Sequence, residues 1–313
     1  MPSDEPGGPP PTRAAAPPRP TRNGQPATGG LPELSRLLPL AHGELTLEQT
    51  AELASLKAQI QAGAGVVCAG YKESCLRRRL AVRMRARGLH RYTDYGALLD
   101  EDPAEYESLL RTLTINVSRF FRNAEVWEAV RDRVLPELAT MPSPILNLWS
   151  AATAAGEEAY TLAILLRQRA ATDPSVELER FRVVGTDIDE EVLAAAARAQ
   201  YGALSFADTA PQVRERWFTP GYPARLHEDI RTMVRFWPLD LMVGPYPRMQ
   251  HLIVCRNVII YFERHVQEQI FRRFAEALVP GGYLVLGKVE TTVGDAAAAF
   301  ESVSPAERIY RRV

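Results

Sequence analysis

Four places in this 313-residue chain gather side chains able to bind a polar organic ligand. The first is the run Ala151-Ala152-Thr153-Ala154-Ala155-Gly156, followed at once by Glu157 and Glu158. Small side chains let a ligand lie against backbone, and a helix starting there offers unpaired N–H groups. The two glutamates can simply complement the positive end of that helix, or one of them can hold an ammonium group. The second place carries Asp187 and Asp189. Either can cap a helix, and a carboxylate ending a strand can also accept from both hydroxyls of a ribose. The third is Asp240, which can meet an adenine edge or simply be a solvated loop residue, and the fourth is Cys255-Arg256-Asn257. Together they suit an adenosine-containing ligand with a cationic amino-acid end. No G-x-G-x-x-G accompanies them, which disfavours a nicotinamide cofactor. H-E-x-x-H, G-x-S-x-G and the P-loop are also missing, so metal hydrolysis, serine hydrolysis and ATP chemistry have no support.

Such a site needs strands whose carboxyl ends meet in one crevice. From about residue 142 onward, short apolar runs (ILNLWS, FRVVGT, HLIVC, YLVLG) alternate with helical patterns such as EEAYTLAILLRQRAA and HVQEQIFRRFAEAL. That alternation predicts an α/β domain with a parallel sheet over 142–313. Residues 201–235 are too long for a simple connection and are expected to form an inserted helix and small hairpin. Ahead of the sheet, residues 33–141 read as an all-helical domain and linker. Thr46 can cap LTLEQTAELASLKAQIQAG. In YKESCLRRRLAVRMRARGL, Leu76, Leu80 and Met84 form one stripe with Arg78 and Arg85 opposite, and Gly88 is the stop. YTDYGALLDEDPAEYESLLRTLTIN predicts two helices broken at Asp102-Pro103. Residues 1–32, rich in proline and glycine with little to bury, are expected to be a disordered tail.

The formal net charge of −1, from 37 basic and 38 acidic residues, argues against a non-specific nucleic-acid binder. No apolar run reaches the roughly 18–20 residues of a membrane span, and no charged n-region precedes an apolar stretch at the N-terminus. Three cysteines (Cys68, Cys75, Cys255) without a C-x-x-C suit a reducing compartment and no metal centre. A cytoplasmic protein without membrane insertion is expected. Arginines at 77, 78, 79, 83, 85, 87 and 91 are dense for a neutral chain. They are either a solvated face or a docking surface for an acidic partner.

At these residues the sequence resembles the chemotaxis receptor methyltransferases of the CheR type. The resemblance spans about 66–310 and rests on YKESCLRRRL, on LTINVSRFFRN, on WSAATAAGEEAYTLA with GTDIDEEVL, and on CRNVIIYF with PGGYLVLG. It implies a Rossmann-like class I methyltransferase sheet with a small inserted antiparallel β-subdomain, behind an all-α N-terminal domain. It implies S-adenosyl-L-methionine as cofactor, S-adenosyl-L-homocysteine as product, no metal, and esterification of glutamates on receptor signalling helices. By the same resemblance, Asn116, Ser118 and Arg122 would close over the methionine end of the cofactor. Ala152 and Glu158 would line the first loop, with Glu158 on the amino group; Asp187 would take the ribose. Asp240 and Leu241 would flank adenine, joined by Cys255 and Arg256. Tyr261 and Arg122 would lie nearest the transferring methyl. Arg77, Arg78 and Arg85 would dock on an acidic methylation helix.

The sequence departs from the family pattern at Ser118 (often Thr), Asp240 (often Asn), Ala159 (usually Pro) and Lys288-Val289 (usually His-Ser). None of these removes a cofactor contact. The hairpin loop around 220–225 is shorter than in members that grip a receptor's C-terminal peptide tether, so the resemblance does not extend to tether binding. Two other readings stay open from sequence: a methyltransferase with a different acceptor, and a non-catalytic module that binds the cofactor or an acidic helix.

Overall fold

The computed structural model describes residues 41, 43–64, 67–114 and 118–313. The expected tail at 1–32 and Asn116 lie outside the described residues. Strands β1 (Leu146–Ala151), β2 (Phe181–Asp187), β5 (Val234–Pro238), β6 (Gln250–Cys255), β7 (Leu278–Leu286), β8 (Phe300–Ser304) and β9 (Ile309–Arg312) form one seven-stranded sheet. Its order is β5-β2-β1-β6-β7-β9-β8, with β9 antiparallel to both of its neighbours and the first five strands parallel. Every residue of β6 is buried. Helices cover both faces, which is why the central strands read as unbroken apolar runs rather than as alternating ones. The order reverses between β1 and β6, so a crevice opens at their carboxyl ends.

One face is covered by α7 (Glu157–Ala170), whose residues 157 to 166 are all buried, and the other by α11 (Arg264–Ala277). The expected break at 141/142 does not coincide with the break in packing. Helices α5 (Ala124–Ala129) and α6 (Leu135–Ala139), joined by a π-helical turn over Val130–Val134, belong to the sheet. Their Val126, Trp127, Val130, Val134, Leu135 and Leu138 share one core with Leu146, Leu148, Leu162 and Leu166. The wide turn ends just before Pro136, which has no N–H to give to the turn before it.

The N-terminal unit is helical. It comprises α1 (Leu47–Ala64), α2 (Glu73–Ala86), α3 (Tyr92–Glu101) and α4 (Pro103–Leu113), packed around Leu53, Ile60, Leu80, Met84, Tyr95 and Leu109. Thr46 caps α1 by accepting from the Gln49 N–H, and Gln49 Oε1 accepts in return from the Thr46 N–H. Gly88, at φ 68°, ends α2, with the Leu89 N–H reaching back to the Met84 carbonyl. Asp102 caps α4 ahead of Pro103.

Between α8 (Glu190–Arg198) and β5 lies the insertion, with β3 (Gln200–Tyr201), α9 (Pro211–Trp217), β4 (Ala224–Arg225) and α10 (Glu228–Arg231). β3 and β4 pair antiparallel through two residues each. The insertion ends earlier than the expected residue 235, because Val234 and Arg235 already pair with Val183 and Val184 of β2. Its aromatic centre clasps Phe120 of the inter-domain link, with ring centroids 4.7 Å from Tyr201, 5.4 Å from Phe206 and 4.9 Å from Phe218. No helix among the described residues is long and apolar enough to cross a membrane.

Candidate active site

At the carboxyl ends of β1, β2, β5 and β6 the crevice is roofed by the helical unit, enclosing a cavity of about 180 Å³. The first loop is bent sharply: Ala152, Ala154 and Gly156 take φ of 56°, 52° and 88°. Left-handed backbone at two alanines is mildly strained, and both alanines line the cavity. A Cβ on Gly156 would sit 3.0 Å from both Ala196 and Phe236 side chains, so glycine is needed where the loop passes over β5. The Ala154 N–H donates to Asp187 Oδ2 at 2.9 Å, fixing loop and carboxylate together.

Three carboxylates line this cavity: Glu158, Asp187 and Asp240. Burial pushes the Asp187 and Asp240 carboxyls up from their ordinary range, against the pull of the backbone N–H groups they accept from. Asp189 is the helix cap, accepting from the Glu191 and Val192 N–H groups at 3.0 and 3.2 Å, while Asp187 faces the cavity. Of the two acids, Asp187 is the one at the cavity. The glutamates divide in the same way. Glu158 lines the cavity, whereas Glu157 is turned away and accepts from Ser205 Oγ at 3.1 Å. Burial pushes the Glu157 carboxyl up to about 7.

Facing the carboxylates are guanidinium groups. Arg256 donates through Nη1 to Glu158 Oε1 at 2.6 Å, and through Nη2 to the Arg122 carbonyl at 3.0 Å and to Asn123 Oδ1 at 2.8 Å. Those contacts hold the link across the cavity mouth. Phe121 and Asn123, on either side of Arg122, take φ of 56° and 60°. Arg79 enters from α2 and lies over the Tyr261 ring, 4.5 Å from its centroid. Arg79 Nη2, Arg256 Nε and Asn257 Oδ1 are buried and find no hydrogen-bond partner among the described residues. Buried polar atoms of this kind are costly unless a polar ligand engages them. A ligand with a cationic end, ribose hydroxyls and an adenine edge fits this set of donors and acceptors. Among the described residues no group of side chains could hold a metal ion.

The sequence matches the family profile described as CheR methyltransferase, SAM binding domain, over residues 116–309, and that described as CheR methyltransferase, all-alpha domain, over 51–114. The chain belongs to the CheR methyltransferase family. Among its relatives, the chemotaxis protein methyltransferase of Escherichia coli is 33% identical over 269 residues, covering 81% of this chain and 91% of the relative. The probable chemotaxis protein methyltransferase of Rhizobium etli is 31% identical, covering 78% and 94%. That of Listeria monocytogenes is 31% identical, covering 74% and 87%. The protein is a methyltransferase dependent on S-adenosylmethionine, of the kind that methylates chemoreceptors.

In this CheR methyltransferase the structure brings Ser118, Arg122, Ala152, Glu158, Asp187, Asp240, Leu241, Arg256 and Tyr261 to one cavity. Cys255 is not among the residues that line it. It is wholly buried in the core beside Trp149, Leu284 and Leu286, burial pushes its thiol far up, and its side chain takes no part in the cavity wall. Arg77 turns back into the helical unit and donates to the Gly43 carbonyl at 2.5 Å. Arg83 forks onto Glu105 at 2.9 and 2.6 Å, Arg87 reaches Asp102, and Arg91 reaches Glu48 and Glu52. Arg78 and Arg85 are exposed on the opposite face of α2.

Sequence reasoning missed the roof. Tyr71, Arg79, Leu113 and Thr114 all line the cavity from the helical unit. The Lys72 N–H donates to the Tyr261 carbonyl and the Glu263 N–H to the Gly70 carbonyl, both at 2.8 Å, stitching that unit to the catalytic loop. Arg79 had one legible signal: it stands next to Leu80 in the apolar phase of α2, where a solvated arginine does not belong.

Proposed function

We propose that the protein transfers a methyl group from S-adenosylmethionine to glutamate side chains on the acidic methylation helices of a chemoreceptor or receptor-like protein, in the cytoplasm. The products are glutamate methyl esters and S-adenosylhomocysteine. The observation that carries this reading is Arg79. A buried guanidinium whose Nη2 has no partner among the described residues, stacked on Tyr261 in a cavity that carboxylates also line, is suited to receive one more carboxylate.

Each residue then has a task. Glu158 holds the cofactor's amino group, Asp187 the ribose hydroxyls, and Asp240 with Leu241 the adenine, while Ala152 packs beneath. Arg256 keeps Glu158 in place. Ser118 and Arg122 close over the methionine end. When bound, the cofactor supplies a methyl carbon made electrophilic by its sulfonium, so the acceptor oxygen gains the methyl, the bonding pair stays on sulfur and no proton moves. A glutamate carboxylate is already ionised near pH 7, so no side chain need act as a base. Arg122 orients it at near-attack distance, with Tyr261 packed beside the transferring methyl. Tyr71, Leu113, Ile260 and Phe262 contribute apolar wall, which matters because opposite charges cancel in the transfer and water would favour the separated ions. Arg78 and Arg85 meet the acidic helix outside.

The test is to incubate the protein with methyl-labelled cofactor and receptor-bearing membranes, then treat the labelled protein with mild alkali. Release of volatile methanol is expected, as carboxyl methyl esters require. Alkali-stable label would assign a different acceptor. Cofactor binding with no label in any acidic helical protein would make the chain a binding module.

A further inference from the structure

The loop from Arg256 to Tyr261 supplies much of the cavity wall, and three of its six backbone N–H groups donate to Glu290. That residue follows the exposed Lys288-Val289 pair and is itself only 3% exposed. Its Oε2 accepts from the N–H groups of Gly287 at 2.7 Å and Asn257 at 2.8 Å. Its Oε1 accepts from Ile259 at 2.8 Å and Ile260 at 3.3 Å. Three of these four donors belong to the loop, and two lie at the start of the 3₁₀ turn Ile259–Tyr261, where N–H groups have no partner within the turn. Asn257 takes φ 61°, left-handed backbone that asparagine tolerates better than most non-glycine residues.

We infer that Glu290, seated against Gly287, is a positioning residue that holds the 256–261 loop in the arrangement methyl transfer requires. The fit is close. A Cβ at position 287 would lie 2.6 Å from Glu290 Oε2 and 2.8 Å from the Asn257 nitrogen, so only glycine lets carboxylate and loop approach. This also accounts for the departures at Lys288 and Val289: Val289 is 72% exposed and takes no part in the latch. The two ends of the loop are secured differently. Arg256 is anchored independently by Glu158, the Arg122 carbonyl and Asn123. Tyr261 is held by the Lys72 N–H on its carbonyl, by Arg79 over its ring and by the turn that Glu290 organises, with no ion pair of the kind that fixes Arg256 among the described residues. Loosening the latch therefore displaces the acceptor side more than the cofactor side. The inference rests on the reading that Tyr261 faces the acceptor.

The experiment compares Glu290→Gln and Gly287→Ala in the full chain. Glutamine keeps the shape but turns an NH₂ group onto two N–H donors. Single-turnover methyl transfer to receptor membranes is expected to fall about a hundredfold, the scale of a misplacement near 1 Å. Affinity for S-adenosylhomocysteine should stay within about threefold, since Glu158, Asp187 and Asp240 are undisturbed. Gly287→Ala, which presses on the latch from the other side, should show the same split with a smaller loss. Unchanged transfer in both variants overturns the inference. So does a parallel fall of rate and affinity that tracks the folded fraction, because that is general destabilisation. If Glu290→Gln does not fold, the split in Gly287→Ala decides. Arg122→Ala run alongside separates the two failures: if it too transfers at the wild-type rate, the reading of the site is wrong, not the latch alone.

Discussion

Replacing Glu158 with glutamine isolates the charge on which cofactor recognition is proposed to turn. The side chains of Glu158 and Arg256 are 6% and 0% exposed, 2.6 Å apart. Glutamine is nearly isosteric, and its carbonyl can still accept from Arg256 Nη1, so the hydrogen bond survives while the countercharge is lost. Removing one partner of a buried pair costs about 3–5 kcal/mol. Arg256 keeps the Arg122 carbonyl, Asn123 Oδ1 and the face of Trp127, 5.5 Å from its ring centroid, which places the stability loss near the low end, about 3 kcal/mol. The ligand loses more selectively. The second carboxylate oxygen becomes a donor facing an ammonium donor, and a charge-assisted hydrogen bond is worth about 1.5–3 kcal/mol. At about 1.4 kcal/mol per decade, that is roughly a 10- to 150-fold rise in Kd. Calorimetric titration with S-adenosylhomocysteine should show this rise. Methylthioadenosine, which has the same nucleoside and thioether but no amino-acid end, should bind wild type and variant within about twofold. Equal weakening of both ligands would refute the reasoning: Glu158 would then act only by holding Arg256, and the ammonium would sit elsewhere.

Further outcomes are expected. Tyr261→Phe should cost less than about tenfold in single-turnover rate and Arg122→Ala far more, because a guanidinium orients a carboxylate and a phenol only packs beside it; equal losses would contradict that division. Burial pushes Glu157 up to about 7, so between its unfolded value near 4.5 and about 7 the folded state binds the extra proton and stability falls as pH rises. Urea denaturation from about pH 5 to about pH 8 should show wild type losing roughly 2–3 kcal/mol relative to Glu157→Gln, and parallel curves would show that Glu157 is ionised throughout. Reversing the exposed pair, Arg78→Glu with Arg85→Glu, should lower receptor methylation at least about tenfold without changing the Kd for S-adenosylhomocysteine. Unchanged methylation would move the docking surface off this face of α2.

Much of this protein is legible in its sequence because the determinants are local. Strands buried on both faces must be continuous apolar runs, so ILNLWS, FRVVGT and HLIVC declare themselves. Thr46, Gly88 and Asp102 mark helix ends through hydrogen bonds that span only a few residues. The acids Glu158, Asp187 and Asp240 stand where chains leave such strands, and those positions taken together point to a ligand. Other choices depend on what a surface meets. Arg77, Arg78 and Arg79 are consecutive and chemically identical, yet one returns to the Gly43 carbonyl, one faces solvent and one enters the cavity. Helical geometry spaces them about 100° apart, but only the docking of the helical unit against Tyr261 and Phe262 decides which of those directions is the active site. The same holds for helix 124–139, whose periodicity fits a helical domain equally well and whose allegiance to the sheet is set by Leu146, Leu148 and Leu162 far along the chain. Cys255 and Asn257, two residues apart, separate for the same reason, one sealed in the core beside Trp149 and the other at the cavity. Local pattern determines which face of an element is apolar; the partner that covers that face is chosen by tertiary packing, and the catalytic wall is assembled from residues that no local pattern connects.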